Sequence, residues 1–144
     1  MKKNLLFGLL MSGLVFAGCK ESEANRVIGN WKVQEFEKDG SKIPIEESGI
    51  SFEQESENVF KVNGNSGINT FFGNVEIKNK GIVVDDKMAS TKMAGSPEAM
   101  EYEDNFLLCL TGADGIELDE SDGKKVLKLS SSKNNMTIHF VPAE

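Results

Sequence analysis

The sequence predicts an α+β domain: an antiparallel, partly closed β-barrel or strongly curved sheet of about eight strands, packed around one helix. Three observations carry that expectation. Apolar residues recur at period two in short runs, as half-buried strands require. Gly, Asn and Asp pairs such as Asp39-Gly40 and Asp122-Gly123 break those runs at hairpin spacing. One stretch only, Ser96 to Leu110, carries helix signals instead, and no internal repeat is present.

The chain opens on a leader. Lys2 and Lys3 form a positive start, and Leu5 to Ala17 is a 13-residue stretch without a charge. That suits a signal peptide and falls short of the roughly 20 residues a membrane span needs. Residues 1–18 therefore read as a lipoprotein signal peptide. Phe16-Ala17-Gly18-Cys19 is similar to a bacterial lipobox, which is cut before the cysteine and carries diacylglycerol on its sulfur, so Cys19 is the expected lipidation site. The alternative is a secreted chain cut after Ala17 or Gly18, with Cys19 a free thiol. Each buried methylene contributes about 0.8 kcal/mol, so two or three acyl chains hold a protein at a membrane almost permanently.

Residues 19–26 are the lipidated cysteine and a polar, flexible tether, and 27–144 are the folded domain. The seven residues Lys20 to Arg26 reach at most about 25 Å. Lys20 is not the Asp that retains lipoproteins in the inner membrane of proteobacteria, and Lys20-Glu21-Ser22-Glu23 resembles the export tags of Bacteroidetes surface lipoproteins. The expected location is the bacterial cell envelope, at the outer membrane, periplasmic or surface-exposed.

Composition bounds the partners. Without the leader the chain keeps 14 basic and 23 acidic residues, a charge of −9. Such an excess repels phosphate backbones, so nucleic acid is excluded as a partner. About 125 residues bury roughly two thirds of their surface on folding, enough for one domain and a monomer without a staple. The cysteines offer none, because Cys19 and Cys109 are the only two.

Taken in order, Trp31 and Val33 alternate with polar residues as a first strand, and Phe36 falls out of phase, which predicts a bulge or strand end. Asp39-Gly40 is a turn and Lys42 to Gly49, with Pro44, a connection. Ile50 and Phe52 are answered by Phe60 and Val62 across the turn Glu53 to Asn58. Asn63-Gly64-Asn65-Ser66-Gly67 is the densest break in the chain. Phe71, Gly73, Val75 and Ile77 then share one face, with Ile82 and Val84 opposite after Asn79-Lys80-Gly81. Ser96 and Pro97 start the helix as cap and first residue, with Glu98 and Glu101 toward its positive end. Phe106 to Leu110 is apolar all round, so that half is expected to be buried, and Gly112 is expected to end it in a left-handed conformation. Ile116 and Leu118, Leu127 and Leu129, and Met136, Ile138 and Phe140 complete the strands.

Two motifs and the helix carry a resemblance. Gly64-Asn65-Ser66-Gly67-Ile68-Asn69-Thr70-Phe71-Phe72-Gly73, then Met88-Ala89-Ser90-Thr91-Lys92-Met93-Ala94-Gly95, then the helix with Glu101 to Leu110, resemble the META domain of heat-inducible, HslJ-like bacterial lipoproteins. The likeness runs from about Gly29 to the C-terminus. It implies that Asn69, Gly73, Thr91 and Met93 are the family signature. Their residue types have a structural explanation: an asparagine capping its own turn and a glycine with positive φ. Many members carry cysteines where this chain has Ile68 and Gly95, so a disulfide or thiol role for that pair is absent here.

Catalytic, metal and cofactor sites are expected to be none. His139, the single histidine, lies between Ile138 and Phe140 and points away from their face. Nucleophile-elbow, phosphate-loop and His-Glu-x-x-His motifs are missing. Asp119 to Gly123 fails the calcium-loop spacing. Cys109 reads as an inert core thiol, and the acid pairs Asp85-Asp86 and Glu117 with Asp119 as solvated faces. The first functional expectation is a lipid-anchored, non-enzymatic envelope module for binding or stress response, whose partners are the membrane through Cys19 and an envelope protein. A second is a carrier of an apolar ligand or acyl chain in a cracked barrel, with a cavity lined by Phe71, Val75, Ile77 or Leu107. A third is a hydrolase using clustered acids near the Asn63 to Gly67 loop.

Overall fold

Eight antiparallel strands close on themselves. The computed structural model describes residues 23–143, so the leader and Cys19 lie outside the described residues. The strands are β1 (Gly29–Lys38), β2 (Ser41–Lys42), β3 (Gly49–Gln54), β4 (Val59–Asn65), β5 (Thr70–Lys78), β6 (Gly81–Val84), β7 (Ala89–Ser90), β8 (Gly115–Ser121), β9 (Lys124–Ser131) and β10 (Met136–Pro142), with one helix, α1 (Pro97–Thr111), between β7 and β8. The sheet runs β10-β9-β8-β6-β5-β4-β3-β1, and β1 pairs back onto β10 from Trp31↔Pro142 to Lys38↔Met136. The two-residue strands β2 and β7 hang on β1 and β5.

The closed sheet satisfies backbone groups that an open one would leave at its edges. One seam is thin: β6 and β8 share the single bridge Gly81↔Gly115, supported by bonds from Ile82 N to the Asp114 carbonyl and from Ile116 N to the Lys80 carbonyl. The out-of-phase Phe36 follows a register shift between Val33 and Glu35, and this bulge returns Phe36 to the interior. Asp39-Gly40 and Asp122-Gly123 adopt φ of 52° and 82°, and of 53° and 74°, the left-handed pairs that tight hairpins need.

The core is filled by strand residues of one face together with the helix. Phe36, Phe60, Phe71, Phe106 and Phe140 are each under 2 % exposed. Helix α1 starts as its sequence dictates, with Ser96 Oγ accepting from Ala99 N at 3.1 Å. Its buried stripe is Tyr102, Glu103, Phe106, Cys109 and Leu110.

Four expectations need correction. Leu108 is 46 % exposed, because a straight helix against a barrel buries one stripe and not its whole circumference. Gly112 has φ −99°, outside the left-handed region; a Cβ there would fall 2.6 Å from Asn134 Nδ2, so room, not φ, selects glycine. Asn63, Gly64 and Asn65 belong to β4, paired with Phe72, Phe71 and Thr70, and the break begins only at Ser66. Finally, the tether is shorter than its polarity suggests. A 3-10 helix, Glu23–Val27, folds against the barrel: Ala24 and Val27 are buried, Trp31 Nε1 donates to the Val27 carbonyl at 2.8 Å, and Arg26 pairs with Glu120. Two small apolar residues among polar ones suffice when a barrel mouth needs covering.

Candidate functional site

The signature residues converge on a carboxylate that the sequence reading passed over. Glu103, 8 % exposed, sits on the buried stripe of α1. Its Oε2 accepts from Ser66 Oγ at 2.6 Å and from Asn69 N at 2.9 Å, and its Oε1 accepts from Asn69 Nδ2 at 2.8 Å. Asn69 in turn holds the segment before the helix. Its Oδ1 accepts from Thr91 Oγ1 at 2.8 Å and Met93 N at 2.7 Å, and its Nδ2 also donates to the Met93 carbonyl at 3.1 Å. Thr91 Oγ1 accepts from Thr70 N at 3.1 Å.

Every polar atom of the Asn69 side chain is therefore occupied, and three separated pieces of chain meet on it. The turn's own closing bond comes instead from Ser66, whose N donates to the Asn69 carbonyl at 2.9 Å. Asn69 is thus a bridge between loop, segment and helix, a different role from capping its own turn. Met93 contributes only main-chain atoms, and its side chain is exposed. Gly73 does not take a positive φ. A Cβ on it would fall 2.6 Å from Met88 Sδ, so its smallness lets the chain after β6 lie on β5. Ile68 and Gly95 also face each other: a Cβ on Gly95 would meet Ile68 Cδ1 at 2.7 Å. At this position a large apolar side chain lies over a bare glycine.

Burial raises the Glu103 carboxyl, but hydrogen bonds from the Ser66 and Asn69 side chains and the Asn69 N–H, with the Lys92 charge, outweigh it and hold the group below the ordinary glutamate value. Beside it, burial pushes the Tyr102 phenol up, against an opposing hydrogen bond with Ser48. Ser48 Oγ donates to the Glu46 carbonyl at 2.9 Å, so Tyr102 is the donor in the 2.6 Å contact between the two hydroxyls. An ionised carboxylate held by three hydrogen bonds from the loop it packs against, and kept below the ordinary glutamate range, is a structural acceptor and a poor general base. This cluster is chemically a clamp.

The remaining candidates are dispersed. Burial, with the Asp114 charge, pushes the Cys109 thiol up to about 12, far from the thiolate a nucleophile needs. His139 lies on the outer face with Nδ1 3.7 Å from Glu35 Oε2, and Glu117 and Asp119 line the same concavity. Asp85 lies elsewhere, beside Glu76, and its Oδ1 accepts from Lys87 N at 2.9 Å. The two acid pairs are not brought together. Glu120 is engaged by Arg26 and Lys125. Among the described residues no group of three or more His, Cys, Asp or Glu is placed to hold a metal, and no helix is long and apolar enough to cross a membrane.

The META domain family model matches residues 25–144. The chain belongs to the META domain family. Two solved structures are similar to this META domain in fold. One is a protein from Burkholderia xenovorans determined by NMR, with TM-score 0.68 and 16% identity over 83% of this chain and 86% of that one. The other is the crystal structure of a DUF4847-family protein from Bacteroides vulgatus, with TM-score 0.52 and 18% identity over 81% and 94%. No curated protein matches the chain significantly. At such identities the likeness is one of fold.

Of the clamp, Asn69, Thr91 and Met93 were legible through the signature, and Ser66 and Glu103 were not; Gly73, the fourth signature residue, stands outside it. The signal for Glu103 existed. Positions 103, 106 and 110 are spaced i, i+3, i+7, so an acid there shares the apolar stripe of Phe106 and Leu110 and must find partners.

Proposed function

We propose that this META domain protein is a lipid-anchored, monomeric envelope module, held at the outer membrane through Cys19, whose domain binds another envelope component without catalysing a reaction. One observation carries the non-enzymatic part. The buried polar groups gathered by the signature are engaged with one another, with Glu103 ionised and accepting three hydrogen bonds and every polar atom of the Asn69 side chain bonded. General acid–base chemistry needs a group near neutral with a free bonding direction, and nucleophilic chemistry an activated one. The lipobox-like Phe16 to Cys19 supports the anchor, and a structured segment from Glu23 leaves little free chain before the barrel. A stress role would suit such a module, since a rigid barrel keeps its surface when the envelope is perturbed.

The carrier reading finds less support. Phe71, Val75 and Ile77 are all within 2 % exposure in one apolar cluster, against which Leu107 packs. The concavities that reach Val75 and Ile77, about 260 and 110 Å³, open on the surface. An acyl chain would have to displace core side chains to enter.

The anchor is tested by detergent phase partitioning and mass spectrometry of the native protein. Wild type is expected in the detergent phase with a diacylglyceryl mass on Cys19, and Cys19→Ser in the aqueous phase. Wild type in the aqueous phase with a free thiol would refute the anchor.

A further inference from the structure

We infer that the outer face of β1, β3, β4, β5 and β7 is a binding site for a neutral polysaccharide, with Phe72 as its stacking platform. Asn30, Ser51, Asn63, Phe72 and Ala89 are consecutive register partners across those five strands. All five are at least partly exposed. At about 4.8 Å per strand, the row is about 19 Å long. It holds no charge, on a chain in which 27% of residues are charged.

Phe72 is the anomaly that this row explains. It is 58 % exposed in the middle of a strand, next to Phe71 at 1 %. Its partner toward β7 is Ala89, too small to cover the ring. An open aromatic face next to amides and hydroxyls is what a pyranose requires, since its C–H face stacks on the ring while its hydroxyls pair with amide groups. Part of the polar set is pre-oriented: Ser51 Oγ donates to Asn30 Oδ1 at 2.6 Å, which occupies the Asn30 oxygen and leaves its amino group as the donor. The row borders a shallow concavity of about 770 Å³ that includes Ser51, Asn63 and Phe72, and to which Lys32 and Glu47 contribute one charge of each sign.

Two features set the ligand class. The row is uncharged, and the charges lining the concavities beside it, Lys32 and Lys61 against Glu47 and Glu53, balance; on a domain of net negative charge this favours a neutral chain over an anionic one. A peptide adding as an extra strand would need a free sheet edge, and Phe72 lies on a strand paired on both sides, to β4 and to β7. The inference rests on the binding reading above and is independent of the anchor.

The test uses the full chain in detergent micelles, titrated with chitotetraose, cellotetraose and mannotetraose, and with tetragalacturonate as the anionic comparison. Backbone amide NMR and Trp31 fluorescence are the readouts. At least one neutral tetrasaccharide should shift the amides of Ser51, Asn63 and Phe72. Phe72→Ala should weaken it by about tenfold or more without moving the thermal midpoint, and Phe72→Trp should retain it. The inference is overturned if no neutral tetrasaccharide moves those amides, if Phe72→Ala binds like wild type, or if the anionic chain binds as well. A crosslinked protein neighbour in cells with no saccharide binding would end the glycan assignment and leave the binding module standing.

Discussion

Glu103→Gln should destabilise the domain by about 3 kcal/mol at neutral pH, although it conserves shape and removes a buried acid. The reason lies in the number of acceptors. Glu103 receives three hydrogen bonds, from Ser66 Oγ, Asn69 N and Asn69 Nδ2, and donates none. A glutamine must turn its amino group toward either the Asn69 N–H or the Asn69 Nδ2. Asn69 cannot flip to relieve this, because its Oδ1 already accepts from the Met93 N–H, a donor that has no acceptor form. Donor faces donor in both rotamers, and bonds to a charged acceptor are the stronger kind.

The pH dependence follows from the direction of the shift. Glu103 is held below its ordinary value of 4.5, so the unfolded chain takes up the proton first as pH falls. Its contribution is fully present above that range and is lost as pH falls through the folded value. Urea unfolding of wild type and Glu103→Gln should therefore differ by a constant amount from pH 5.5 to 7, taken as roughly the plateau, and converge below about pH 4.5. A gap that does not change with pH would mean that the carboxylate charge contributes nothing.

Phe106→Ala is the second large effect, about 3–5 kcal/mol. Phe106 has no exposed surface, and its ring lies 5.6 Å from that of Phe71 and 6.3 Å from that of Tyr102, centroid to centroid. It joins α1 to β5, so its loss leaves a cavity between helix and barrel that a closed sheet is too stiff to collapse into. Leu108→Ala, two residues on, should cost no more than about 0.5 kcal/mol because Leu108 faces water. Equal effects in urea unfolding would contradict the single-stripe burial of α1.

The strands, hairpin turns and helix start were legible because each has a local cause: period-two alternation, left-handed Asp-Gly pairs, a serine cap followed by proline. The bulge before Phe36 was legible for the same reason, as an error of phase. A barrel, partly closed, was expected from the strand pattern, but the strands that close it were not legible, because the β1–β10 pairing joins the two ends of the domain and leaves no local mark in either. Burial of Ala24 was hidden likewise, since a short polar stretch reads as tether until a barrel mouth is there to receive it. At the clamp, the signature pointed to Asn69 and Thr91, but their role depends on Glu103, a residue 34 positions away from Asn69. Gly73 and Gly112 show the same limit: sequence marks a glycine, and only packing tells whether φ or space selects it.

The central claim is that Asn69 and Glu103 form one structural clamp joining the loop before β5 to the helix. A double-mutant cycle on unfolding free energy, with Asn69→Ala, Glu103→Ala and the pair at pH 7, tests it directly. The account predicts a coupling of about 1–3 kcal/mol, the double variant costing clearly less than the two single variants together. Additivity to within about 0.3 kcal/mol would contradict it, because two residues that hold each other cannot be lost independently.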